Sequence, residues 1–314
     1  MINYSESSPP NNPQQVNQSL QDVNIQIDDL LSEVEVLMFT TMQCFEDCKI
    51  FGSDILQDAA VYHLQTGGQR LRAKLALSAG YTVGLDESDC VRISAAVELL
   101  HNASLIHDDL QDGDLIRRGQ ASVWSKYGNQ LAICLGDLYL SSAYSVLAKF
   151  SNSILLPQLF NVFHLSVSKA TYGQVVDLTL LPEDMSLASY IEIAQAKSGA
   201  LLSLPFELIF IANHQPQLIH LARLACQHFS VGYQIFDDFK DYPNDRVNIF
   251  STLKLLESQS KNFVNPFAAA KEIAIYYLLE SEAILGRLPC KSGFLLEQYS
   301  TEIRYQIEES NWTM

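Results

Sequence analysis

Two aspartate clusters carry the clearest chemical signal in this chain, Asp108-Asp109-Leu110-Gln111-Asp112 and Asp237-Asp238-Phe239-Lys240-Asp241. Residues four apart on a helix share a face, with Cβ atoms about 5–6 Å apart. Asp108 therefore points with Asp112, and Asp237 with Asp241. Like charges at that spacing cost an isolated helix roughly a few tenths of a kcal/mol. Each cluster also follows a largely apolar run, Ala103 to Ile106 and Val231 to Phe236, so the acids emerge from a core and call for a cation. Face to face, they would supply the oxygen ligands that Mg²⁺ prefers and leave positions for water and a substrate phosphate. One such cluster reads equally well as an ordinary acidic helix end; two, each closing an apolar helix, argue for a metal site. Neither has the glycine-turn loop of an EF-hand, which sets calcium behind magnesium.

Lys and Arg are few, 20 against 36 acidic residues, so their placement is informative. Gly67-Gly68-Gln69-Arg70-Leu71-Arg72 sets two arginines after a flexible glycine pair, and Arg117-Arg118-Gly119 follows the first acidic cluster. Guanidinium groups bind phosphate oxygens bidentately, which makes these pairs candidate diphosphate clamps, although either alone also reads as surface charge. Lys197-Ser198, and Gln174 with Asp177, interrupt helical patterns rich in small and apolar residues. Polar groups in such places are either paired in the core or face a cavity.

The elements that must position these groups read as helices. Apolar residues recur at three and four spacings from Ile25 onward, and again over Val91 to Leu110, Leu131 to Leu147, Leu155 to Thr171, Ala188 to Asn213, Leu218 to Phe239 and Ala268 to Leu285. No convincing period-two run is present, and Gly and Pro fall mostly between these segments. The expected fold class is all-α. Residues 1–23, rich in Ser, Pro, Asn and Gln, read as a disordered leader, and residues 24–314 as one helical domain.

The net charge of −16 argues against nucleic acid as a partner, because a phosphate backbone needs a basic surface. No apolar stretch reaches the roughly 18 residues of a membrane span. The most apolar run, Leu201 to Ala212, contains Pro205 and Glu207 and suits a buried helix. The N-terminus lacks the basic and apolar segments of a secretory signal, so a cytoplasmic location is expected. Cys44, Cys48, Cys90, Cys134, Cys226 and Cys290 show no completed zinc spacing and read as buried reduced thiols.

From about Leu64 to Asp241 the pattern resembles the trans-isoprenyl diphosphate synthases, the polyprenyl synthetase family. Glu98-Leu99-Leu100-His101-Asn102-Ala103-Ser104-Leu105-Ile106-His107-Asp108-Asp109 with Arg117-Arg118-Gly119 is similar to that family's first aspartate-rich motif, and Tyr233-Gln234-Ile235-Phe236-Asp237-Asp238 to its second. Gly67 to Arg72 resembles its GGKRxR segment, and Lys197-Ser198 its Lys-Thr pair. The resemblance implies a helical bundle around a central prenyl-binding cavity and a homodimer. It also implies condensation of isopentenyl diphosphate with an allylic diphosphate. Asp108, Asp112 and Asp237 would hold Mg²⁺ on the allylic diphosphate, with Asp109, Asp238 and Asp241 supporting. Arg117, Lys197, Ser198 and Gln234 would contact that diphosphate, with Gln174 nearby. Arg72, His101 and Arg118 would clamp isopentenyl diphosphate.

Three departures from the family pattern stand out. Gln69 replaces a usual lysine, which removes a charge from the isopentenyl side; Ala121 replaces a common proline; and the chain after Asp241 lacks the family's lysine-rich continuation. Chain length would be set four and five residues before Asp108, about one turn deeper on its helix, where Ser104 and Ala103 are small. A long product, of about twenty carbons or more, is therefore expected. Two alternatives are a class I terpene cyclase of the same fold and a non-catalytic partner subunit. The former normally has an Asn/Ser/Glu motif in place of the second cluster, and the latter would be expected to have lost a cluster.

Overall fold

The computed structural model describes residues 13–43, 54–181, 184–242, 249, 253 and 265–310. The apolar spacings become helices: α1 (Pro13–Gln43), α2 (Asp54–Gln65), α3 (Leu71–Thr82) and α4 (Glu87–Asp112), then α5 (Val123–Tyr127), α6 (Asn129–Leu147) and α7 (Leu156–Thr179). After these come α8 (Leu187–Ala194), α9 (Ala200–Ala212), α10 (Ile219–Asp241), α11 (Pro266–Leu285) and α12 (Phe294–Glu309). The fold is all-α. Its described strands are β1 (Ile116–Arg117) and β2 (Gln120–Ala121), an antiparallel pair too short to give a period-two signal.

Helix α4 organises the core. Asp86 caps its start by accepting from Ser88 N at 3.0 Å, and Gly113, at φ 77°, closes its end just past the first acidic cluster. Between the caps, Ile93, Ala95, Ala96, Leu99 and Ile106 are fully buried against α3, α6 and α9. Every residue of α9 is buried, as its unbroken apolar run predicts. Its Glu207 survives burial because Arg223 Nε and Nη2 donate to its two oxygens at 3.1 and 2.5 Å, and Ser203 Oγ adds a bond at 2.7 Å. No helix among the described residues is long and apolar enough to cross a membrane.

Several local expectations change. Residues 1–12 of the expected leader lie outside the described residues, and α1 opens at Pro13, inside that leader. Extending an existing helix fixes one residue per hydrogen bond gained, so polar residues can continue it without an apolar stripe. The single helix expected over Ala188 to Asn213 is α8, a π-helical turn at Gln195–Gly199, and α9. Of the cysteines, Cys90 and Cys226 are buried thiols, Cys134 and Cys290 are exposed, and Cys44 and Cys48 lie outside the described residues.

Candidate active site

The C-terminal half of α4 and the facing sides of α6, α7 and α9 enclose a cavity of about 310 Å³. Arg72, His101, Asp108, Gln111, Gln174, Lys197 and Ser198 line its polar end; Leu100, Ala103, Leu140, Val167 and Leu201 form apolar wall. Eight residues singled out in sequence thus meet here: Arg72, His101, Ala103, Ser104, Asp108, Gln174, Lys197 and Ser198. Lys197 and Ser198 reach it because the π-helical turn adds a residue to the helix and turns them inward. Gly173 on α7 permits that turn: a Cβ there would lie 2.6 Å from the Lys197 backbone nitrogen.

Charges at the polar end are paired across elements. Lys197 Nζ donates to Asp177 Oδ2 at 2.7 Å, and Gln174 Nε2 to Asp112 Oδ1 at 3.4 Å. Burial works against charge on Lys197, but Asp177, Asp108 and Asp112 together raise its pKa, so it stays an ammonium. Burial also raises the carboxyls of Asp108, to about 6, and Asp112; Lys197 opposes both, while Asp112 adds to the rise at Asp108 and Asp177 to that at Asp112. The half-buried Asp108 and the exposed Asp112 are hard oxygen donors short of positive charge, so the donor set fits Mg²⁺. Among the described residues, no three His, Cys, Asp or Glu side chains are gathered closely enough to cage a metal alone. A cation bound here must draw further ligands from a phosphate or water.

A pH dependence follows. A divalent cation must displace the proton that burial holds on Asp108 up to about pH 6. Affinity for Mg²⁺ with inorganic diphosphate is expected to rise as pH climbs through 6 and level off above it, with protons released on binding. The raised folded pKa also means that the protein loses stability from this group as pH rises from the ordinary aspartate range through 6. Calorimetry in buffers from pH 5 to 8 reads both effects; an affinity flat across that range would contradict a buried, protonated Asp108.

The second aspartate of each pair is turned into the protein. Asp109, 1% exposed, takes Arg117 Nε at 2.7 Å and also Arg117 Nη2. Asp238, 4% exposed, takes Tyr190 Oη at 2.6 Å and Ile249 N at 3.0 Å on Oδ2, and Gln234 Nε2 at 2.9 Å on Oδ1. Both therefore act as tethers, while Asp108 faces the cavity. Arg117 and Gln234 are held by these tethers and do not line the cavity wall. Asp237 and Asp241 end α10 beyond that wall as well. Burial and Asp237 raise the phenol of Tyr233, whereas Arg72 lowers it, so the second cluster and the arginine side act on one ring.

The glycine-pair turn sorts its two arginines. Arg70, expected as a possible clamp, is buried: it donates to Glu35 at 3.3 Å, Gly67 O at 3.3 Å and Leu64 O at 3.1 Å, and lies 3.8 Å from Glu98. Its left-handed backbone at the start of α3 turns the side chain back into the core. Arg72 faces the cavity instead. Arg72 Nε and His101 Nδ1 are buried without hydrogen-bond partners among the described residues. Burial first, and then Arg72 and Arg118, hold the His101 imidazole neutral, with its pKa well below the ordinary histidine range. Such atoms are costly unless a ligand completes them. Arg118 Nη1 donates to Gly67 O, and its guanidinium fills the space a Cβ on Gly68 would need. Gln69 is exposed. Arg246 and Lys254, the candidates for the missing basic continuation, lie outside the described residues.

Sequence reasoning missed Tyr190, Asp177's pairing role and His63. His63 is 2% exposed and neutral, its pKa lowered to about 3 by burial and then Arg118. Tyr190 and His63 sit at core positions of helical patterns, where an aromatic ring reads as packing; only the hydroxyl of Tyr190 was a signal, because a buried phenol seeks a partner.

Known proteins resemble this chain in sequence and in fold. The family profile described as "Polyprenyl synthetase" matches residues 53–249. A short chain isoprenyl diphosphate synthase of Methanothermobacter thermautotrophicus is 30% identical over 198 residues, 62% of this chain and 61% of that one. The alignment thus spans about three fifths of that relative. Farnesyl diphosphate synthase of Bacillus subtilis is 27% identical over 261 residues, covering 78% of this chain and 86% of the relative. Among solved structures, a geranyltranstransferase of Thermotoga maritima superposes with a TM-score of 0.71 at 26% identity, covering 91% of this chain and 100% of that one.

Proposed function

The chain belongs to the polyprenyl synthetase family, and from that premise we propose that it condenses isopentenyl diphosphate with an allylic diphosphate to a longer all-trans prenyl diphosphate. The observation that carries this reading is the single cavity with Asp108, Lys197 and Ser198 at one end beside Arg72 and His101, and a hydrocarbon wall below them. Two diphosphates fit the polar end as neighbours, and one prenyl tail fits the apolar end.

In this proposal Asp108, Asp112 and Asp237 hold Mg²⁺, which when bound supplies Lewis-acid stabilisation of a leaving diphosphate. Lys197 and Ser198 bind the same diphosphate, and Lys197 brings a fixed positive charge to the oxygen that becomes negative. Arg117 and Gln234, held by Asp109 and Asp238, border that half-site. Arg72, His101 and Arg118 hold the second diphosphate so that its double bond lies beside the allylic carbon. Asp241 lends charge at the rim. The apolar wall keeps water from the allylic cation; the isopentenyl double bond attacks that cation, and the new cation formed by the addition loses its proton to the departed diphosphate. The small Ala103 and Ser104 leave room for a product of about twenty carbons or more, in channel terms more than one helical turn below Asp108. The enzyme works as a cytoplasmic homodimer. A terpene cyclase of this fold has no use for the Arg72–His101 side, and a non-catalytic partner has no use for two complete aspartate clusters.

Purified protein with Mg²⁺, isopentenyl diphosphate and each allylic diphosphate in turn is expected to yield elongated prenyl diphosphates by mass spectrometry. Cyclic hydrocarbons, or no consumption of isopentenyl diphosphate, would refute the reading.

A further inference from the structure

We infer that Tyr190 is a positioning residue for the allylic half-site: through Asp238 it holds the segment bearing Lys197 and Ser198 against the helix bearing Asp237. The inference rests on the function proposed above and assigns a role to a side chain outside the recognised motifs.

Tyr190 lies on α8 and is 7% exposed; its hydroxyl donates to Asp238 Oδ2 at 2.6 Å. The same oxygen accepts the Ile249 N–H at 3.0 Å, and the other accepts Gln234 Nε2 at 2.9 Å. One buried carboxylate thus collects donors from α8, from its own helix and from the chain beyond α10. Seven residues after Tyr190 comes Lys197, in the π-helical turn, bonded to Asp177 on α7 at 2.7 Å. The α8–π segment is therefore fastened to α7 by Lys197 and to α10 by Tyr190. The acids of two elements also raise the Tyr190 phenol, Asp238 and Asp237 from α10 and Asp177 from α7, after the larger effect of burial. The hydroxyl thus stands between the lysine's partner and the second aspartate cluster.

Without that hydroxyl, the segment bearing Lys197 loses its bond to Asp238, and misplacement of about 1 Å at a reacting centre costs up to about a hundredfold in rate. The other half-site stands on different elements. Arg72 is on α3, His101 on α4, and Arg118 follows β1, and none of them is bonded to Tyr190.

Tyr190→Phe keeps the ring and removes one O–H. The expected result is a rise of about tenfold in KM for the allylic diphosphate and in the Mg²⁺ concentration for half-maximal rate, with KM for isopentenyl diphosphate within about twofold of wild type. Combined with Asp238→Asn, it is expected to cost less than the sum of the two single losses, because both substitutions act on one shared bond. Should Tyr190→Phe fail to fold, Asp238→Asn reads the same bond from its other end and is expected to show the same selective rise. Calorimetric binding of inorganic diphosphate with Mg²⁺ supplies a readout independent of turnover. Weaker diphosphate binding in Tyr190→Phe supports the positioning role even if wild type fails to elongate prenyl substrates, an outcome that would sink the proposed reaction alone. Unchanged diphosphate binding, equal changes in both KM values, or additive losses in the double variant would each overturn the role of Tyr190.

Discussion

Asp108→Ala and Asp237→Ala are each expected to lower turnover by about a thousandfold or more while the fold persists. Asp108 faces the cavity with its carboxyl raised to about 6 by burial, and its repulsion with Asp112 is the stress that a bound cation relieves. Removing Asp108 therefore costs a proposed cation ligand and leaves packing almost untouched. The tethers should behave differently. Asp109→Ala strips the half-buried Arg117 of its closest partner, and Asp238→Ala takes the acceptor from Tyr190, Gln234 and Ile249 N. Those variants are expected to melt earlier, because an orphaned buried group costs about 1–3 kcal/mol. Turnover, thermal melting and Mg²⁺ titration on all four proteins separate the classes. Full activity of wild type in excess chelator would remove the metal assignment altogether.

Ala103→Phe or Ser104→Phe is expected to shorten the product by at least one isoprene unit. Both side chains line the cavity, and a ring at either place would fill the passage between α4 and Leu140 on α6. The deeper candidates for a limit are aromatic. Below Leu140 and Val167, the next turns of α6 and α7 carry Tyr144 and Phe163, whose rings meet at 4.7 Å, edge to face. Loss of Tyr144 bulk by Tyr144→Ala should lengthen the product, and the pair Ala103→Phe with Tyr144→Ala should behave like Ala103→Phe alone, since the upper block comes first. Product masses at excess isopentenyl diphosphate decide the matter. If wild type already stops at the length given by Ala103→Phe, the channel closes no deeper than position 103, and neither the small residues nor Tyr144 with Phe163 sets the length.

Much of this site was legible before any coordinates. Asp108 and Asp112 share a face because helical geometry demands it, and apolar runs leading into charged clusters identify helices that end at a polar opening. The placement of His101 on the same face as Asp108, two helical turns earlier, follows a spacing that a local reading can weigh. Other features depend on contacts between residues distant in sequence. Arg70 and Arg72 look alike in the chain, yet Arg70 turns back to Glu35 and the Leu64 carbonyl while Arg72 faces the cavity. A left-handed backbone at Arg70 separates them, and no local pattern announces it.

The sequence by itself determined an all-helical chain, two carboxylate faces suited to a hard cation, and a small-residue step below the first of them, because those properties depend on residue type and on a periodicity of the helix. Only the tertiary structure decided which aspartate of each pair is buried as a tether. Asp109 and Asp238 have the same chemistry as their neighbours, and their role as tethers arises because Arg117, Tyr190 and Ile249 arrive from other elements. The same holds for the π-helical turn at Gln195–Gly199, which the glycine at position 173 of a separate helix makes room for. Local propensity sets what a residue can do; the partners that burial brings to it decide which of those things it does.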